Sequence, residues 1–417
     1  MIRIFYLIFI NLFLNSELIL EITESANQPV KIAVLQKNDS SFKGQEIVNI
    51  ISNDLKRTGE FEVLSSDQLL SIPSNESEVI QRDWLLLDVD SIVFIETKET
   101  DNSLDVNYSI FNVSYNDIED KRRVLGLPDS IRQSSHYVSD GIYEFFFGIK
   151  GISATRLMYV TKNSDIYRLM VSDADGFNEQ ILLKSNKSII SPAWSSDAKD
   201  IAYVSFENNR AQVFTQNLES GKRELILGSS SSVSSPAWSP NKKFLAFTST
   251  MDGNSEIYLI ELETKKISRL TENSSIDTEP AWSTDGRKII FTSDRAGSPQ
   301  IYEIDIRTKI KRRLTTQGNY NARASYLNKN EIVFVHRGTE NFNIAKLNLK
   351  TRDLDVLTST QNDESPCIAP NGNVIIYATK DGSLSYLAGV NISSKVKFRL
   401  PALYGELKEP AWSPFLR

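Results

Sequence analysis

Histidine and cysteine are nearly absent from this chain of 417 residues, which has two of the first and one of the second. A lone cysteine cannot close an intrachain disulfide, and Cys367 sits between Pro366 and Ile368 in an apolar slot, so it reads as a small core residue rather than a nucleophile. His136 and His336 lie far apart, with no H-x-x-x-H spacing and no cysteine pair beside either, which leaves metal ligation and a catalytic triad without support. Each is expected at the surface or capping an element. A G-x-S-x-G elbow, a G-x-G-x-x-G turn and a Walker lysine are all missing. No basic cluster interrupts a formal charge of -6, so nucleic acid and anionic membrane surfaces are poor partners. Carboxylates are abundant but scattered over turns, where they are usually solvated, and no pairing at glycosidase distance follows from their spacing. Neither a cofactor nor a metal is expected.

Long apolar runs are also scarce. The one that exists follows Arg3, from Ile4 to Leu14, and is too short to span a bilayer. It reads as an export signal over residues 1–16, with Leu14 and Ser16 at the small-or-aliphatic positions, a mature start near Glu17 and Ala26 as a later candidate. The mature protein is then expected to be soluble outside the cytoplasm.

What the chain has in quantity is repetition. Pro192-Ala193-Trp194, Pro236-Ala237-Trp238, Pro280-Ala281-Trp282 and Pro410-Ala411-Trp412 are copies of one head, and the first three tryptophans are 44 residues apart. The same step past Trp282 reaches Tyr326, a further 42 reaches Ile368, and 44 more reaches Trp412, which makes six slots. Between heads run short alternating segments and Gly- or Asn-containing turns, four strands per repeat, the pattern of a propeller blade. Ala202-Tyr203, Ala246-Phe247, Ile290-Phe291, Val333-Phe334 and Ile376-Tyr377 mark the second strands. Met158-Tyr159 fits the same slot without a Pro-Ala-Trp before it, while Glu409 to Pro414 is a head without a blade after it. The C-terminus therefore completes the first blade, and residues 151–417 read as an all-β six-bladed β-propeller closed by a C-terminal strand. A linear solenoid would leave two bare sheet edges. The tryptophans read as interblade core, each worth roughly 1.5–3 kcal/mol of burial, and the blades headed by Tyr326 and Ile368 are expected to pack more loosely.

Residues 17–150 read as an N-terminal α/β domain with a mixed sheet. Leu18, Leu20 and Ile22 alternate as a short leading strand would, one that can dock on its own protein or on a partner's sheet edge. Val30 to Leu35 is a strand, Ile47, Ile50, Ile51 and Leu55 share a helix face that stops at Gly59, and Phe61 to Leu64 is a second strand. A short helix is expected over Glu76 to Leu86, strands over 91–97, 104–115 and 121–127, and a last helix carrying Val138, Ile142 and Phe146 up to Gly148. The connector to the propeller is short, so the two domains should pack together.

The loops just before the heads converge on one end of the central channel. That mouth set is Ser191, Val233, Ser235, Thr278, Glu279, Tyr320, Arg323, Asp363, Glu364, Lys408 and Glu409. Its mixture of acidic, hydroxyl, aromatic and cationic groups suits a protein partner better than a deep apolar pocket would. A secreted hydrolase, or a carbohydrate-binding protein, using the same mouth is the alternative.

The stretch RQSSHYVSDGIYEFFFGIKGISATRLMYV (132–160), the repeated PAWS-type blades and the terminal LYGELKEPAWSPFL resemble the TolB family, the periplasmic component of the Tol-Pal system. The resemblance covers essentially the whole mature chain. It implies a non-enzymatic, monomeric periplasmic protein with two partners: the lipoprotein Pal at the mouth set, and TolA through Glu17, Leu18, Ile19, Leu20, Glu21, Ile22, Thr23, Glu24 and Ser25.

Overall fold

In the computed structural model the described residues are 20–21, 28–37, 42–228, 231–382, 384–400 and 405–416. The export-signal reading of residues 1–16, and residues 17–19 and 22–25 of the leading segment, lie outside them. Among the described residues no helix is long and apolar enough to cross a membrane.

The N-terminal part begins with strand β1 (Leu20–Glu21) and continues with β2 (Val30–Gln36), α1 (Phe42–Thr58), β3 (Phe61–Leu64), α2 (Gln81–Leu86), β4 (Ser91–Thr100), β5 (Ser103–Asn112), β6 (Asp117–Gly126) and α3 (Ile131–Phe147). The sheet has the order β3-β2-β4-β5-β6. Its β2-β3 and β2-β4 pairs are parallel and the β4-β5-β6 meander is antiparallel. Ile47, Ile51 and Leu55 recur every four residues along α1 and, with Val138 and Ile142 of α3, cover one face of the sheet at Ile32, Val93 and Val106. Trp84 and Val89 cover Ala33, Ile92 and Phe94 on the other. The helix expected over Glu76 to Leu86 is broken in two: a single 3₁₀ turn, Glu76–Glu78, capped by Asn75, precedes α2. The break lets Trp84 turn inward, 1% exposed, while Ile80 leaves helical geometry at φ -90°, ψ 90°.

The propeller follows the repeat. Five sheets of four strands and one of five account for all but the first domain's sheet, and the inner strands of blades one to six are Glu406–Trp412, Ile189–Trp194, Val233–Trp238, Asp277–Trp282, Tyr320–Asn328 and Glu364–Ile368. Blade one is completed from the C-terminus, with Leu407 opposite Thr161 and Trp412 opposite Leu157. The second strand of every blade buries one aromatic ring, Tyr159, Tyr203, Phe247, Phe291, Phe334 and Tyr377, none more than 2% exposed. The heads tie neighbouring blades together: Trp194 Nε1 donates to the Ala411 carbonyl and Trp282 Nε1 to that of Ala237, both at 3.0 Å. Tyr326 takes the tryptophan's place in blade five, its hydroxyl donating to Glu303 of blade four at 2.7 Å. Cys367 is half-buried among apolar neighbours, and burial pushes its thiol up to about 12.

Contrary to the surface placement read from the sequence, both histidines are buried, His136 at 2% and His336 at 6% exposure. Each has a polar partner that makes this tolerable: Asp54 Oδ2 lies 2.6 Å from His136 Nδ1, and Asn321 Oδ1 lies 2.7 Å from His336 Nδ1. Strand β1 pairs antiparallel with the outermost strand of blade six, Leu20 opposite Phe398 and Glu21 opposite Lys397.

Candidate partner-binding site at the channel mouth

The inner strands all run the same way, from the mouth to a turn at the far face. The N-terminal domain sits against that far face: Asn371 Nδ2 and Asn391 Nδ2 donate to the carbonyls of Lys150 and Thr58, and Trp412 Nε1 to Thr155 Oγ1. The mouth where the strands begin therefore opens on the side away from it.

One irregularity recurs in every inner strand. Glu409, Ser191, Ser235, Glu279, Arg323 and Ser365, one per blade, have φ between 51° and 56°, in the left-handed region. Each coincides with a register shift against the second strand, as between Ile190 and Ala193 or between Lys408 and Ala411. Five of the six precede a proline, which cannot donate to the ladder and disfavours helical conformations in the residue before it. Blade five has Ala324 there and bulges in the same way, so proline is not the sole cause. A non-glycine residue held left-handed costs about 1–2 kcal/mol, and such strain persists only where the surroundings over-determine it. The bulge redirects the side chain. Here it brings six side chains around a cavity of about 180 Å³ lined also by Pro192, Pro236, Pro280, Pro366 and Pro410.

The ring holds three hydroxyls, two carboxylates and one guanidinium. Arg323, its side chain 37% exposed, reaches three other blades: Nε donates to Glu279 Oε1 at 2.9 Å, Nη1 donates to Ser365 Oγ, and Nη2 lies 3.5 Å from Glu409 Oε1. Burial works against its charge, but Glu279 and Glu409 outweigh it and raise the guanidinium pKa. Glu279 Oε2 also accepts from the Arg323 amide at 3.0 Å and from Thr292 Oγ1 at 2.8 Å. Glu409 Oε2 accepts from the Ser191 amide. The two carboxylates and one cation leave the ring with an excess of one negative charge.

Of the residues expected at the mouth, Ser191, Ser235, Glu279, Arg323 and Glu409 are brought together in this ring. Glu364 is exposed, and Lys408, half-buried, pairs with Glu406 at 2.9 Å, which holds its ammonium pKa up. Thr278 lies beside the ring, its hydroxyl 3.3 Å from that of Thr248. Tyr320 is half-buried with its ring edge-on to Phe342, and burial together with Glu279 raises its hydroxyl pKa. Val233 and Asp363 do not reach the mouth. They stand two residues before the bulge, a position that faces between blades: Ile189, Val233, Asp277, Asn321, Asp363 and Leu407 are all 2% exposed or less. Asp363 is satisfied there by the hydroxyls of Thr358, Thr360 and Thr379. Ser365 is the ring member that sequence reasoning missed. Its signal was the Ser-Pro pair, in register with Ser191-Pro192 and Ser235-Pro236. The site also lies on bulged strands and not on loops.

Among the described residues, one group of side chains is spaced as metal ligands are: Asp54, His136 and Asp175, within 4.8 Å of one another. Arg57 and Arg132 already bond its carboxylates, so the cluster is an ion-pair network. It lies at the domain junction, far from the mouth.

A model described as the TolB beta propeller domain matches residues 143–416, and one described as the TolB amino-terminal domain matches residues 18–117. The Tol-Pal system protein TolB of Pseudomonas aeruginosa is 48% identical over 396 residues, 93% of this chain and 92% of that protein. Its namesake in Hydrogenovibrio crunogenus is 46% identical over 414 residues, 96% of this chain and 95% of that protein. The crystal structure of TolB from Acinetobacter baumannii superposes with a TM-score of 0.86 at 36% identity, covering 96% of this chain and 100% of that one.

Proposed function

This chain belongs to the TolB family, and we propose that it is a non-enzymatic periplasmic adaptor of the Tol-Pal system, holding Pal at the channel mouth and TolA through its N-terminal segment. In that role it supports outer-membrane integrity and envelope constriction during cell division. The observation that carries the Pal assignment is the ring of six left-handed residues, one from every blade, on the face the N-terminal domain leaves open. Strain repeated at one place in each blade is maintained against a cost, and its product is a fixed set of donors and acceptors centred on an arginine. Arginine is enriched among the residues that dominate binding at protein interfaces, and a polar ring of this kind fits a protein surface better than an apolar ligand. The TolA assignment is supported by the place of β1 at the outer edge of a blade, where one strand is easily exchanged for another edge.

Titration of purified Pal against the wild-type protein and Arg323→Ala tests the first half. The variant should bind about 10- to 100-fold more weakly, the range expected for loss of an interface anchor, with an unchanged far-UV spectrum. Wild-type affinity in Arg323→Ala and in Glu409→Ala would place Pal elsewhere. Deletion of residues 17–25 should abolish TolA capture, and retained capture would remove the N-terminal segment from that role.

A further inference from the structure

The junction between the domains buries a cluster of charged side chains. From α1 come Asp54 and Arg57, 3.2 Å apart, and from α3 come Arg132, His136 and Asp140. The last residue of the third strand of blade one, Asp173, and the turn to its fourth strand, at Asp175, complete the set. Arg132 spans the gap, with Nε 3.3 Å from Asp173 Oδ2 and Nη2 bonded to Asp175 Oδ2. His136, its side chain 3% exposed, has Nδ1 on Asp54 and points Nε2 at the propeller, 3.8 Å from Asp173 and 4.0 Å from Asp175, with no hydrogen-bond partner for that nitrogen. A few residues on, Asp140 accepts the backbone amides of Ser153 at 2.6 Å and Ala154 at 3.1 Å, in the connector itself.

Three carboxylates, Asp54, Asp173 and Asp175, face two guanidiniums. The cluster is neutral only when His136 carries a second proton, and that proton belongs on the nitrogen aimed across the domain boundary. An ion in its place would have to share the Asp173 and Asp175 oxygens with Arg132. Among the described residues no cation bonds Asp140. The charged groups around it are Asp54 of α1, His136 and Glu144 of α3, and Lys150 of the connector.

We propose that the domain junction is an acid-tightened latch, in which docking of the N-terminal domain on the propeller takes up protons on His136 and Asp140 and so strengthens as the medium is acidified. The sign follows from the environments. Burial opposes the charge on His136, but Asp54 and Asp173 overcome it and hold the imidazolium up to about 10. Burial raises the Asp140 carboxyl to about 7 against the two amide bonds that favour its charge. A group whose pKa is raised in the docked state contributes stability that is complete below its free value and is lost as pH rises to the docked value. For Asp140 that window runs from about 4 to 7; for His136 it ends near 10 and starts above the free imidazole value, because Asp54 stays beside it in the undocked domain and only the part of the rise due to Asp173 and Asp175 belongs to docking. Asp54 and Asp173 have depressed pKa values, Asp54 through His136 and Arg57, and Asp173 through His136 and Arg132, in each case against burial. Their contribution is present at and above neutrality and is lost only in stronger acid. Docking should therefore be tightest near pH 4 and loosen by up to tenfold per pH unit above it.

Hydrogen exchange at the Ser153 and Ala154 amides reads the latch directly, because both are held by Asp140. Measured on the full chain at pH 5.5, 7.0 and 8.5 and corrected for intrinsic rates, their protection should fall at least tenfold across the range. The Ala246 amide, inside blade three, serves as reference and should hold. Asp140→Asn should flatten the step below pH 7, and His136→Gln the step above it. If His136→Gln does not fold, Asp173→Asn, on the propeller side, should weaken the same upper step. Protection that is independent of pH in the wild type, or a pH profile untouched by every one of these substitutions, would overturn the proposal.

Discussion

Ser235 shows how much a single backbone angle decides. At φ 51° and ahead of Pro236, its conformation is one that glycine adopts freely and a β-branched residue resists. Ser235→Gly should leave the melting temperature nearly unchanged, whereas Ser235→Val should destabilise by about 1–3 kcal/mol, read as a lowered urea midpoint. Equal midpoints for the two variants would mean that the bulge relaxes at no cost. This scale is also where the sequence was hardest to read. Ser235, Glu279 and Arg323 could be placed near the mouth from their distance to the heads, but Val233 and Asp363 could not be told apart from them. The alternation that assigns in and out resets at a bulge, and a bulge leaves no period of its own in the sequence. Ser365 was overlooked because its blade begins with Ser-Pro-Cys-Ile and not Pro-Ala-Trp. Its proline, not its missing tryptophan, carried the register.

At the scale of elements the repeat was legible, because each blade is one unit written at nearly constant spacing with its aromatic in the same slot. The closure was legible for the same reason: a head without a blade and a blade without a head must pair. Glu406–Trp412 does complete blade one, and Ser413 seals it by exchanging bonds with Arg156, its amide to the Arg156 carbonyl at 2.9 Å and its hydroxyl accepting the Arg156 amide at 3.0 Å. Removing residues 405–417 should therefore expose the edge of the strand Arg156–Asn163 and strip Trp194 of its acceptor, the Ala411 carbonyl. The truncated protein should unfold over a broad range and be cleaved quickly by a non-specific protease. A sharp wild-type melt in that variant would mean that blade one closes otherwise. The helix expected over Glu76 to Leu86 breaks at Val79 and Ile80, where Val79 packs against the cluster around Trp84 while Ile80 stays 54% exposed.

For the whole molecule, the contact between domains was legible only in outline. Asp54, His136 and Asp173 stand in different elements, and nothing in the spacing of any one of them announces the others. A short connector foretold that the domains would touch, not that they would do so through buried charge on blade one and through Gly59 on blade six. Gly59, at φ 68°, packs so closely that an added Cβ would lie 2.4 Å from Val396 Cβ. Gly59→Val should consequently part the domains without unfolding either. Calorimetry should then show two transitions where the wild type shows one, with far-UV dichroism preserved, and a single transition at the wild-type temperature would refute the idea that docking couples the two parts. The closure of the ring also sets an order of events as the chain is made. Arg156 and Ser413 are 257 residues apart, so the first propeller strand to emerge waits for the last. Domains fold from the N-terminus as they are synthesised, and during that wait the first blade is a bare edge beside an already folded neighbour. Whatever guards the growing chain has most to do in that interval, and its task ends only when the final dozen residues arrive.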